Sequence, residues 1–368
     1  MTTTIDRRKF LAAGGVTAAA AAAAGVAGEL LLGKRFRRNP PMASAPGAPA
    51  PAPSKVPKLE IDPMTPRPAD ETLNITGLSP FFTPNSTFYR VDTALVVPQV
   101  AADTWQLRVH GMVDKPVALT FDDLIQRPMV EHDVTLTCVS EAVGGGYIGN
   151  ARWQGILLAD VLRQVGIRPG ADQIVMRDVK GMTIGVATEP VMDGRKSLLA
   201  VGMNGQLLPQ EHGYPVRVVV PGLYGYVSAT KWVVDMELTT FGAFDAYWVK
   251  QGWFQEGPIK TESRIDVPKG RSSVAAGQVT IAGVAWAQHR GIEGVEVSVD
   301  GVWHTATLPA QDTIDTWRQW YYVWNATFGP HVLQVRATDK TGHTQTAVVH
   351  KTEPNGATGY HTIRVTVT

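Results

Sequence analysis

The sequence predicts an α+β chain in which a mixed helix-and-strand region over residues 70–265 is followed by an all-β sandwich over 266–368. Two observations carry this. Strand-like and helix-like patterns alternate up to about residue 265, and beyond it the apolar pattern changes to a strict period of two. A third observation sets the start of the folded region: residues 39–69 are dense in proline and alanine (Pro40, Pro41, Pro46, Pro49, Pro51, Pro53), which reads as a semi-rigid extended linker.

Ahead of that linker, Asp6-Arg7-Arg8-Lys9-Phe10-Leu11 has the form of a twin-arginine export signal, and residues 11–28 carry no charge and are rich in Ala and Gly, hence only weakly apolar. Eighteen such residues just reach across a bilayer but gain little on insertion. The cluster Lys34, Arg35, Arg37 and Arg38 opposes an N-in anchor, and Gly25-Val26-Ala27 offers a small-residue cleavage site. Residues 1–32 are therefore expected to be a signal that is either cleaved or retained as a membrane anchor, and 33–69 a linker, with an extracytoplasmic destination in the periplasm or cell envelope.

Within the mixed region, TWQLRVHG (104–111), VTLTC (134–138) and PVRVVVPG (215–222) read as strands. LTFDDLIQ (119–126) and GILLADVLRQVG (155–166) have helical spacing, the second with Leu157, Val161, Leu162 and Val165 on one face. In the C-terminal region QVTIAGVAW, VEVSVDG, HVLQVRATD and YHTIRVTVT alternate, with Val295, Val297 and Val299 facing one way and Glu296 and Ser298 the other. The tryptophans Trp317, Trp320 and Trp324 are expected in the sandwich core rather than around a ligand.

Composition removes several function classes. A net charge of +1 with 44% hydrophobic residues describes an ordinary globular chain, without the basic excess that drives nucleic-acid binding. About 300 residues remain after the signal and linker, enough for two domains. No P-loop, HExxH or GxSxG motif occurs, and without CxxCH there is no covalent haem. Gly144 to Gly149 formally satisfies GxGxxG, yet no regular βαβ unit surrounds it, so a nicotinamide-dependent dehydrogenase stays only as a weaker alternative.

The chemistry centres on Cys138, the one cysteine in 368 residues. Having no partner, it cannot form an intramolecular disulfide, and it is either a small buried hydrophobe or a ligand. Some seventy residues later, His212, Arg217 and Lys231 surround a strand and its following turn. Such donors suit a phosphate, with Arg217 able to bind it bidentately and Lys231 acting as a point charge. Taken singly, an arginine at a strand edge is more often a surface ion pair.

Four segments in order resemble the sulfite oxidase family of molybdopterin enzymes: TPNSTFYR (83–90), LTCVSEAVGGGYIGNARWQGILLADVL (136–162), MNGQLLPQEHGYPVRVVVPGLYGYVSATKW (203–232) and IAGVAWAQHRG (281–291). The resemblance implies a sulfite-oxidase-type molybdopterin domain followed by an immunoglobulin-like sandwich that dimerises. It implies molybdenum–molybdopterin as cofactor, with Cys138 as the thiolate on the metal. Tyr89, His212, Arg217, Lys231 and the turn Ser228, Ala229 and Thr230 would hold the pterin and its phosphate. Arg90 falls near the metal's open face, with Tyr147 and Trp253 as walls of the substrate pocket.

The implied reaction is two-electron oxygen-atom transfer to or from a small molecule. Departures from the family pattern bear on the substrate: Glu141, Ala142 and Val143 stand where an arginine is expected, Glu353 to Gly356 replace another, Trp253 replaces a tyrosine, and Val91-Asp92 replaces an asparagine–histidine pair. Fewer cations weaken binding of a dianion such as sulfite, and a sulfoxide-like substrate fits as well. With no haem domain and no cysteines for an iron–sulfur cluster, electrons must pass to or from a separate protein or a membrane component. The rival of another class is an exported binding or envelope protein whose ancestral metal site is dead.

Overall fold

The computed structural model describes Ile61 and residues 72–368; the export signal and nearly all of the linker lie outside the described residues. In chain order the first region contains β1 (Gln106–Gly111), β2 (Val117–Thr120), α1 (Phe121–Ile125), β3 (Val130–Thr137), β4 (Ile148–Leu157), α2 (Leu158–Val165), β5 (Gln173–Asp178), β6 (Thr183–Ala187), α3 (Thr188–Met192), β7 (Leu198–Met203), β8 (Gln206–Leu207), β9 (Arg217–Val219), β10 (Val233–Thr239) and α4 (Tyr247–Lys250). The second contains β11 (Glu262–Val267), β12 (Ser273–Val274), β13 (Gly277–Trp286), β14 (Ile292–Val299), β15 (Val302–Thr305), β16 (Arg318–Ala326), β17 (Gly329–Asp339) and β18 (His361–Val367). The helices are short, so the chain is mostly β.

The first region folds as two sheets. One runs β2-β1-β10-β5-β6, with β1 and β10 parallel and the other pairs antiparallel. The other runs β3-β4-β7-β8, with β9 also on β7. Leu107, Val109, Met176 and Met236 of the first sheet and Ile156, Leu199, Val201 and Val218 of the second share one core with Val161, Leu162 and Val165 of α2. Each such side chain contributes about 1.5–3 kcal/mol on burial. The opposite face of the second sheet buries Val134, Leu136, Trp153 and Ala200 against Phe88. Gly149 is needed there, because a Cβ at that position would lie 2.7 Å from the Phe88 ring.

The sequence overextends two helices. The helix expected over 155–166 begins only at Leu158, because Gly155, Ile156 and Leu157 pair with Ala200, Leu199 and Leu198 of β7. Leu158 accordingly takes the fully buried place expected of Leu157. In 119–126 the first two residues finish β2, and α1 is started by a capping box in which Thr120 and Asp123 bond each other's backbone N–H. The strand expected over 215–222 contracts to β9. Gly144 to Gly149 leads into β4 rather than a helix, as the failed dinucleotide context predicts.

The second region is two packed sheets, β11-β13-β16 and β12-β18-β17-β14-β15. Ile281, Ala285, Trp320 and Trp324 from one meet Val295, Val297, Leu333, Val335 and Val365 from the other. Trp317 lies outside this core, in a cluster with Phe81, Val139, Tyr226 and Trp286 that joins the two regions. Ser298 is fully buried instead of facing water, its Oγ accepting the Gly301 N–H at 3.1 Å. The expected division at 265/266 falls inside β11, which pairs along its length with β13.

The same junction fixes the strand that ends at Cys138. The Thr135 N–H donates to the Asp315 carbonyl at 2.9 Å, and Gln288 Nε2 donates to Thr135 O at 2.9 Å and Thr137 Oγ1 at 3.0 Å. Asp315 also binds His132 Nε2 at 2.8 Å and His289 Nδ1 at 3.0 Å. β3 is thus clamped by the sandwich just before the thiol.

Candidate functional site

A cavity of about 150 Å³, open to solvent, is lined by Tyr89, Cys138, His212, Arg217, Ala229, Thr230, Lys231 and Trp253. Eight of the sequence-predicted residues, drawn from four separate segments, therefore meet in one place.

Cys138 leaves β3 in a tight turn. Its N–H donates to the Tyr147 carbonyl at 2.9 Å, and its own carbonyl accepts the Glu141 N–H at 3.0 Å. The Ser140 N–H points at Sγ at 3.4 Å. Burial raises the thiol's pKa above its ordinary value, opposed by the Ser140 bonds and reinforced by Glu141. Glu141 itself is buried, accepts the Tyr147 N–H on Oε2 and has no partner on Oε1; burial pushes its carboxyl up to about 7.

The cationic end is assembled by close backbone approach. Gly213 has φ +113°, and a Cβ there would lie 3.0 Å from the Cβ atoms of both Arg217 and Lys231. Arg217 is buried, donates from Nη1 to the His212 carbonyl at 3.1 Å and lies over the Trp153 ring at 4.9 Å. Its Nε has no partner, and among the described residues no carboxylate pairs with it. Burial pushes this guanidinium down to about 10.

Lys231 Nζ binds Asp92 Oδ2 at 2.6 Å, and burial brings the ammonium down to about 8 against that contact. The next residue, Trp232, adopts φ 51°, a left-handed conformation rare for a bulky side chain. It is held by Nε1 donating to the Gln210 carbonyl at 2.8 Å. His212 Nε2 lies 3.0 Å from the Asn85 carbonyl, and burial lowers its pKa. It therefore serves as a neutral donor rather than a cation. The Tyr89 hydroxyl is raised far above its ordinary pKa by burial and then by Cys138, with Arg217 opposing, so it stays protonated.

Three expected residues stand apart from the cavity walls. Arg90 is exposed and its Nε binds Asp92 Oδ2 at 2.7 Å, so the charge expected near Cys138 is paired to a carboxylate of the cavity wall. Tyr147 is 48% exposed, because its backbone rather than its ring faces Cys138 and Glu141. The Ser228 hydroxyl donates to the Leu223 or Tyr224 carbonyl, each at 3.0 Å, and closes the turn instead of facing a ligand.

Other lining residues were not singled out as wall residues from sequence: Asp92, Asp178, Tyr226 and Trp248. The aromatic-rich run Tyr247–Phe254 was the available signal for Trp248, beside Trp253. Among the described residues no group of three His, Cys, Asp or Glu is placed to hold a metal ion. A metal at Cys138 would take its other donors from a cofactor.

Residues 94–248 match the family model for the oxidoreductase molybdopterin binding domain. The chain is 32% identical over 320 residues to mitochondrial sulfite oxidase of Rattus norvegicus, covering 73% of this chain and 57% of that protein. The human enzyme is 32% identical over 290 residues, 65% of this chain and 52% of that one. The chain spans about half the length of these curated relatives. Oxidoreductase YuiH of Bacillus subtilis, itself uncharacterized, is 31% identical over 153 residues, which is 42% of this chain and 74% of that protein. The crystal structure of the sulfane dehydrogenase SoxCD from Paracoccus pantotrophus has the same fold, with a TM-score of 0.66 over 88% of this chain and 93% of that one at 24% identity.

Proposed function

Because the chain belongs to the sulfite oxidase family of molybdopterin-dependent oxidoreductases, we propose that it transfers an oxygen atom to or from a small substrate in a two-electron step, using molybdenum–molybdopterin. The observation that carries this is the single cavity shared by the Cys138 thiol and the Arg217 and Lys231 cations. The residues fit the cofactor: a buried guanidinium with an unpartnered Nε calls for an anionic ligand, and a buried thiol facing the same cavity offers a soft donor. When bound, the cofactor supplies a metal able to accept or give two electrons as an oxygen atom is exchanged.

The chain's own contributions follow from its geometry. Cys138 must lose its proton to serve as a thiolate ligand, and the Ser140 N–H at 3.4 Å favours the charged sulfur. Arg217 and Lys231, with neutral His212 and the Ala229–Thr230 turn, hold the phosphate end, and Tyr89, protonated and lining the same cavity, offers the pterin a hydrogen-bond donor. Ser228 shapes that turn without touching the ligand. Tyr226, Trp248 and Trp253 line the cavity with aromatic surface.

Arg90 does not line the cavity and is paired to Asp92, so Arg217, assigned to the phosphate, is the one arginine among the cavity's lining residues. That favours a neutral, sulfoxide-like substrate over a sulfite dianion, whose desolvation would go unmatched. We further propose export by the twin-arginine route, with cleavage or anchoring of the N-terminus, and electron exchange with a separate protein or membrane redox component. Arg7 and Arg8 support the first and the lack of iron–sulfur cysteines the second. Among the described residues no helix is long and apolar enough to cross a membrane. The two packed C-terminal sheets support an immunoglobulin-like domain that pairs two copies of the chain.

Steady-state assays test the substrate class. Turnover of a methyl sulfoxide with a reduced dye, exceeding sulfite oxidation with an artificial acceptor and lost in Cys138→Ser, is expected. Efficient sulfite oxidation with no sulfoxide turnover would reverse the preference.

A further inference from the structure

Asp92 sits where two cations converge. Its Oδ2 accepts from Lys231 Nζ at 2.6 Å and from Arg90 Nε at 2.7 Å, while Oδ1 accepts the Ala94 N–H at 3.1 Å. The two contacts differ in burial. The Lys231 and Asp92 side chains are 10% and 9% exposed, whereas Arg90 is 37% exposed. The lysine contact is the stronger tie, because a buried charge-assisted bond contributes more than one at the surface.

Among the described residues, that lysine contact is the one hydrogen bond tying residues 91–99 to anything beyond Arg90. The remaining bonds of the stretch are local, Arg90 Nη2 to Asp92 Oδ1 at 3.3 Å and to Ala94 O, and Gln99 Nε2 to Val97 O. The stretch has no helix or strand. Val91, Asp92 and Thr93 form part of the cavity wall, yet Leu95 and Val96 are 74% and 79% exposed.

We propose that Asp92 competes with the cofactor's phosphate for Lys231, so that seating the phosphate releases residues 91–97 from the cavity wall. The inference rests on the reading of Lys231 as a phosphate ligand. A phosphate monoester carries nearly two negative charges at neutral pH. A carboxylate on the same buried ammonium repels it, and Asp178, which also lines the cavity, adds to that repulsion.

Asp92 is the group that can leave. Its neighbours have no sheet ladder to break, and Arg90 can keep the carboxylate company as both swing toward solvent. Cofactor loading is thereby coupled to the mobility of an apolar loop at the cavity mouth.

Hydrogen exchange at amides 91–97 tests this, comparing protein matured in a host without molybdopterin synthesis with protein from a competent host. Pterin content is measured on the same samples. The expected result is exchange about tenfold faster in the loaded protein, the effect of losing one charge-assisted bond. Asp92→Asn should exchange equally fast in both preparations. Stoichiometric pterin with unchanged exchange over 91–97 would overturn the competition and leave the cofactor reading standing. No pterin in protein from the competent host would overturn both.

Discussion

The Arg217 guanidinium sits over the Trp153 indole with its central carbon 4.9 Å from the ring centre, and its Nε has no partner. A buried cation held by an aromatic face, with no carboxylate beside it among the described residues, is poised for an anion.

Replacing that planar fork tests its role. Arg217→Lys keeps a positive charge but loses the stacking and the bidentate geometry. Pterin content after purification is expected to fall about tenfold to a hundredfold, the equivalent of a charge-assisted bond of 1.5–3 kcal/mol. Full pterin occupancy in this variant would show that charge alone suffices.

The Cys138 thiol should be a poor nucleophile in protein lacking cofactor. It is buried, and burial holds its pKa above the ordinary value of 9.0. Alkylation by iodoacetamide at pH 8 is expected to run at least about tenfold slower than for a free thiol, followed by mass spectrometry. Rapid modification would mean that the site exposes the sulfur or stabilises its thiolate more than the geometry indicates.

Glu141 makes stability fall with rising pH. Burial raises its carboxyl from 4.5 to about 7, so the folded chain holds a proton that the unfolded chain has released. Stability should decline between these values by about 3 kcal/mol and level off above them. Glu141→Gln should flatten that decline in denaturant titrations from pH 5 to 9. An unchanged slope would locate the buried proton elsewhere, with Glu262, which burial pushes to about 8, the next residue to replace.

Asp315 has the opposite sign. Burial would raise its pKa, but the bonds from His132 and His289 overcome that and bring it from 3.8 to about 2. Its contribution of about 2 kcal/mol is complete above the unfolded value and is lost as pH falls from there toward 2. Asp315→Asn should cost at least that much at pH 7, and because Asp315 clamps β3, it should also lower metal retention at Cys138. A variant of unaltered stability would contradict the clamp.

The site was legible where chemistry and motif coincide, and less so where local competition decides. Cys138, Arg217 and Lys231 could be read because a lone thiol and a spaced set of donors fall within ordered, specific segments. Arg90 could not be placed, because the sequence does not reveal that Asp92, two residues on, captures its guanidinium. Ser228 looks like a ligand until the turn it closes consumes its hydroxyl.

The fold shows the same division. The period-two pattern located β13, β14, β17 and β18 of the C-terminal sheets, since one face of each must reach a shared core. The helix expected from Gly155 was shortened by β7, whose pairing with β4 is a long-range event that helical spacing cannot encode. Trp317 carried the apolar signal of its neighbours but packs at the junction between the two regions.

Metal and pterin analysis of wild-type protein and Cys138→Ser, both purified from a host that makes the cofactor, tests the central claim most directly. Equimolar molybdenum and pterin in the wild type, with the metal or its activity lost in the variant, is the predicted result. A folded, matured wild type containing neither would contradict the account and favour a binding protein with a dead site.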